Sequence, residues 1–195
     1  MGAVRHARVE AKLARMLDDL LLGNYKTVSE RLGLVIDGAV SEGHLRIHGA
    51  VDGVALEMWF GAHATHVRAR LSSPAPIELS IVTTSLLAKL AHVFTGEHTA
   101  LGDPQLDKTF SVKSGDPQRV ASLLDSDARA VLLELADKSL HPAVDQESIH
   151  LRRFSQGGVD SEEKIERDFR EAARLAKVIS ASFARERSAV RAIAT

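Results

Sequence analysis

The chain has no cysteine. That excludes a disulfide scaffold, a thiolate metal site, an iron–sulfur cluster and cysteine nucleophile chemistry. Aromatic residues are scarce: 6 Phe, 1 Trp and 1 Tyr are outnumbered by 9 His. With 13 Gly and 5 Pro among 195 residues, collagen-like and linker-like compositions are excluded as well. No apolar run approaches the ~20 residues that span a bilayer; Val54–Phe60 is among the longest. Charge of one sign is missing too. The formal net charge is -1, which argues against a protein whose whole surface grips nucleic acid.

What is present is a hydrophobic fraction of 45%, enough for a packed core and too much for a disordered chain. At this length one domain is the default, and roughly 70% of the unfolded surface is expected to be buried. Met1 to Leu22 does not read as a secretory signal, because Arg5, Arg8, Glu10, Lys12, Arg15, Asp18 and Asp19 interrupt every apolar stretch. With neither a signal nor a span read in the sequence, the expected location is cytoplasmic.

The hydrophobic period changes along the chain. Val9, Leu13, Met16, Leu17 and Leu20 lie on one face of a helix that Gly23 is expected to stop. A short strand is read at Leu32–Ile36. From His44 the period becomes 2, with Leu45 and Ile47 alternating against His44, Arg46 and His48. Asp52-Gly53 signals a hairpin. Val54, Leu56, Met58 and Phe60 then alternate with Ala55, Glu57 and Trp59, and a third strand follows from about His66 to Leu71. After the loop Ser72–Pro76, Ile77, Leu79 and Ile81 supply a fourth, so these strands read as an antiparallel meander.

Ser85–Thr95 has helical spacing and Gly96 ends it; Gly96–Asp107 reads as a loop. A strand is expected at Thr109–Lys113, helices at Gln118–Leu124 and Asp127–Asp137, a weak strand after His141-Pro142, a stronger one at Ile149–Phe154, and a turn at Gln156-Gly157-Gly158. The last helix is the longest, about Ser161 to Ala192, with Asp160 and Glu163 resembling a capping box. Ile165, Phe169, Ala172, Ala176, Ile179, Phe183, Val190 and Ile193 form its apolar stripe. At ~1.5 Å per residue it exceeds 40 Å, longer than a small core needs, so its last turns are a candidate contact for a second copy.

The chemistry-bearing residues gather on the outward strand positions. His44, Arg46, His48, Trp59, His66, Arg68 and Arg70 share the sheet's outer face with Glu57 and Glu78. His150 and Arg152 join if Ile149–Phe154 pairs alongside. Such a face suits an acidic protein or a small anion. One tryptophan is thin for nucleotide stacking, so nucleic acid is not the expected partner. His44 and His48 lie about 13 Å apart in a strand, whereas metal ligands must converge within about 2.0–2.2 Å of one ion. Neither metal nor cofactor is expected. No G-x-S-x-G, Walker or G-x-G-x-x-G motif is present. Asp103, Asp107 and Asp116 sit where turns and helix starts use Asp.

Gly102-Asp103-Pro104, Asp107, Phe110 and Val112, followed by Asp116 and Leu123-Leu124, spell G-D-P-x-x-D-x-x-F-x-V before a short helix. This resembles a pattern in uncharacterised bacterial proteins of unknown function, over residues 101–154. Those sequences often carry Phe before the second Asp, where Leu106 stands here. The resemblance implies a non-enzymatic α+β module with a sheet-and-terminal-helix layout similar to pleckstrin-homology-like domains. It supplies no catalytic residues. In this chain Pro104 and Asp107 are assigned to shaping a loop, and Phe110 and Val112 to anchoring a strand.

The expectation is a single α+β domain over 1–195. It has an antiparallel sheet of five to seven strands, an N-terminal helix, short helices and a long C-terminal helix. If it divides, the halves are helix plus meander (1–100) and strand-helix (101–195). The expected function is a non-enzymatic binding or adaptor module acting through a protein partner or through self-association of the C-terminal helix. The alternative is a small anionic-ligand binder or an enzyme using the His/Arg face.

Overall fold

A computed structural model of the chain describes residues 19, 22–38, 45–61, 63–84, 100–154 and 160–193. The stripe Val9–Leu20, His44, the helix Ser85–Thr95 and the turn 156–158 lie outside the described residues. Helix α1 is described over 22–32. Gly23 does not end it. The stop comes at Gly33, whose φ of 67° is the left-handed cap conformation. There Leu34 N–H donates to the Ser29 carbonyl at 2.8 Å and Gly33 N–H to Glu30 at 3.3 Å. A mid-helix glycine costs only about 1 kcal/mol, and burial of Leu22, Tyr25 and Val28 on the same helix outweighs it.

Eight strands follow: β1 Val35–Asp37, β2 Arg46–Val51, β3 Val54–Phe60, β4 Ala64–Arg70, β5 Leu79–Thr83, β6 Phe110–Ser114, β7 His141–Val144 and β8 Ser148–Phe154. They form one antiparallel sheet in the order β1-β2-β3-β4-β8-β7-β5-β6. The α+β class and the long terminal helix match the expectation, but the strand count exceeds five to seven. The two weakest strands read in the sequence both form, which takes the count past the range: β1, three residues long, and β7, which carries Pro142. Proline argues against an interior strand because it has no N–H. Here the ladder to β5 covers only Ala143 and Val144, so Pro142 falls outside it.

The meander holds for β2, β3 and β4, turned at Asp52 (φ 51°) and Gly53 (φ 80°), a pair of left-handed residues that suits a two-residue hairpin. It does not extend to β5. Leu71 and Ala75 N–H groups donate to the Glu147 and Gln146 carbonyls, each at 2.8 Å. The Pro74–Pro76 loop is therefore tied to the turn before β8, and β8 takes the edge of β4.

The expected loop around Asp107 contains a helix, α2 Pro104–Thr109. Asp103 caps it by accepting from Gln105 and Leu106 N–H at 3.0 and 3.2 Å, and Pro104 occupies the first turn, as helix starts favour. The Asp107 carboxylate accepts from Leu101 and Gly102 N–H at 2.7 and 3.1 Å, so it does shape the preceding loop. Phe110 and Val112 are buried, as expected. Asp116 and Asp125 cap α3 Pro117–Leu123 and α4 Ser126–Asp137.

Helix α5, Glu162–Ile193, lies across β2, β3, β4 and β8. Its expected stripe from Ile165 to Phe183 is fully buried against Ile47, Met58, Val67 and Leu151. Ser161, not Asp160, caps it, through Lys164 N–H at 3.4 Å. Asp160 is used elsewhere. Arg153 on β8 grips it with two hydrogen bonds of 2.8 Å and holds Asp168 of α5 at 2.7 Å, while Tyr25 O–H donates to Asp160 at 2.7 Å. Burial pushes the Asp168 carboxyl up despite the guanidinium beside it. No helix among the described residues is long and apolar enough to cross a membrane.

Candidate functional site

Alternation along β2, β3, β4 and β8 sends one set of side chains into the core and the other to the opposite, outer face. Register aligns the outer set in rows. One row runs Asp37, Arg46, Trp59, His66, Arg152 and His141; the next runs Val35, His48, Glu57, Arg68, His150 and Ala143. Six of the sequence-derived residues, Arg46, His48, Trp59, His66, Arg68 and Arg70, thus lie on one face; His44 lies outside the described residues. His150 and Arg152 join because β8 pairs with β4. Glu78 does not, since it precedes β5 on the far side of β7.

The two ends of this face differ in charge balance. At the β1–β2 end the polar groups are paired: Arg46 with Glu57 at 3.0 Å and the His48 ring with Asp37 at 2.6 Å. On β4 and β8, Arg68, Arg70 and Arg152 have no carboxylate partner among the described residues. Most other described arginines, including Arg31, Arg119, Arg129, Arg174 and Arg185, are ion-paired. Arg68 and Arg70 are exposed and Arg152 half-buried. Beside them are Trp59 and His66, cross-strand partners stacked at 5.1 Å, with the His150 ring edge-on to Trp59 at 6.0 Å.

Burial, then the charge of Arg152 and the neighbouring His150, holds His66 below its ordinary value. Burial also lowers His150, opposed by Asp145 and reinforced by Arg68 and Arg152. His66 and His150 therefore take up protons at a lower pH than an ordinary histidine. Because folding lowers both values, the unfolded chain takes up protons first. The stability linked to these groups is full above 6.5 and is lost as pH falls below it. Trp59 is the sole tryptophan, so its fluorescence reports the stack. We expect emission to fall on acidification with a midpoint below 6.5, and the step to vanish in His66→Gln. A midpoint at or above the ordinary value would contradict the arrangement.

No three His, Asp or Glu side chains among the described residues converge as a metal-ligand set. The local sequence announced the contribution of Arg152 and His150 only conditionally, on the pairing that β8 makes with β4. Their alternation with Ile149 and Leu151 marks a strand, but only the distant pairing with β4 decides which face they join.

No protein-family model matches this sequence, and no curated protein is significantly similar to it. Among solved structures, the fold is similar to the crystal structure of the mycobacterial trehalose monomycolate transport factor A, TtfA. That match has a TM-score of 0.53 at 11% identity and covers 83% of this chain and 93% of that one. At this identity the likeness concerns the fold alone.

Proposed function

We propose that this chain is a non-catalytic binding module that docks an acidic protein partner on the outer face of its sheet. The observation that carries the reading is the cluster of Arg68, Arg70 and Arg152. These are three cations on adjacent strands with no ion-pair partner among the described residues, where most described arginines are paired; Glu57, across from Arg68, is paired with Arg46. Guanidinium groups match carboxylates in geometry, and Arg68 and Arg70 are exposed to such a partner.

Titrating the protein with a short polyglutamate peptide tests this, read by Trp59 fluorescence. Saturable binding that weakens with salt is expected. In the double variant R68E/R152E affinity should fall at least about tenfold, each exposed pair being worth up to about 1 kcal/mol and reversal adding repulsion. Arg187→Glu, on α5, should leave it unchanged. No binding, or equal binding by the double variant, would reject the reading.

Self-association through α5 is a second reading. The helix continues past Phe183, its last fully buried apolar side chain among the described residues, and Ala184, Arg185, Ser188 and Ala189 are exposed. Sedimentation equilibrium of the same samples decides it, since a monomer mass excludes it.

A further inference from the structure

Strands β3 and β4 part company before their ends. Their ladder stops at Leu56 with Ala69, whereas β4 stays in register with β8 as far as Arg70 with Ser148. Where they separate, beside the Asp52-Gly53 turn, an open cleft of about 400 Å³ is closed on its other side by α5. That volume lies within the roughly 300–1,000 Å³ of small-ligand sites.

The lining has two characters. Leu71 and Ala176 are buried and apolar. Arg70 and Lys177 are exposed cations on the rim, neither with a carboxylate partner among the described residues. Ala176 and Ser180, one helical turn apart, keep the α5 wall low. Ser72 N–H donates to Ser180 Oγ at 3.1 Å, which fixes the loop against the helix and leaves the hydroxyl proton to donate. The mouth is open at the turn, where a Cβ on Gly53 would meet nothing within 4 Å. Asp52 is the one carboxylate of the lining, and it disfavours a multiply charged guest.

We propose that this cleft binds a small monoanionic organic acid, its carboxylate at Lys177 on the α5 rim and its short apolar body over Leu71 and Ala176. The site is separate from the docking face, with Arg70 alone common to both.

The test is a ligand-observed NMR titration of the full chain with hexanoate, hexanol and hexylamine. Hexanoate should bind saturably, and the two uncharged or cationic analogues at least about tenfold more weakly. Lys177→Glu should weaken hexanoate about tenfold. Ala55→Phe, at an exposed lining position, should do the same by filling the mouth with every charge intact. R68E/R152E should bind hexanoate as the parent does, which separates failure here from failure of the docking face. The proposal is overturned if hexanoate does not saturate or hexanol binds equally well. It is overturned equally if Lys177→Glu and Ala55→Phe both retain parental affinity.

Discussion

Arg153→Met is expected to destabilise the protein by about 3–5 kcal/mol, the range for removing one partner of a buried ion pair. That corresponds to a midpoint lower by roughly 10 °C for a domain of this size. The cause is not the attraction lost but the charge left behind. Asp168 is 1% exposed and receives its closest bond from Arg153, at 2.7 Å. Asp160 loses two bonds at once and is left with the Tyr25 hydroxyl as its hydrogen-bond partner and Lys164 as a more distant charge. The double variant with Asp168→Leu should recover much of the deficit. The pH dependence has a definite sign. Burial already raises the Asp168 carboxyl above its ordinary 3.8, so its favourable, protonated form is lost as pH rises through that raised value. Without Arg153 the rise is larger, and the deficit should narrow as the solution is acidified. Equilibrium unfolding in urea reads all of this, and a single-variant loss under about 1 kcal/mol would show that the pair is solvated.

Phe169→Ala should cost about 3–5 kcal/mol, and Phe169→Leu far less. Phe169 is fully buried, one of the two large aromatics that α5 sends into the core; Phe183 is the other. The residues between them at the interface include Ala172, Ala173 and Ala176. Small side chains let the helix approach the sheet closely, and close approach leaves little freedom to collapse around a deleted ring. The urea slope should stay at its parental value, since the same surface is exposed on unfolding. A loss below about 1.5 kcal/mol would mean that neighbouring side chains refill the site, contrary to the packing described.

Local pattern revealed much of this architecture. Alternation placed Arg46, His48, Trp59, His66, Arg68 and Arg70 on one side of their strands, because a period of 2 leaves no choice once Ile47, Met58 and Val67 face inward. Asp52-Gly53 marked its turn, and the 3.6-residue stripe marked α5. What local pattern could not show falls into two physical kinds. The first is competition between equivalent signals: Gly23 and Gly33 are both plausible helix stops, and tertiary burial on α1 decided for the second. Asp103-Pro104 likewise serves a turn or a helix start equally well. The second kind is long-range pairing. Nothing in Ile77–Ile81 says that β5 avoids β4, and nothing in Ser148–Phe154 says that it replaces it. For that reason Arg152, which completes the arginine cluster, could be placed only conditionally, and the paired state of Arg46 and His48 was not visible.

The position of β8 also sets the order in which the molecule can be completed. Its partner β4 ends at Arg70, and the chain runs on to Ser148 before that edge is met. On the ribosome, and in any refolding chain, β4 therefore waits as an unpaired strand edge, the kind of surface that templates pairing between molecules. Contacts of such long sequence separation also slow folding. Arg68 and Arg70, set two apart on that strand, are like charges of the kind that disfavours pairing between two copies of an edge.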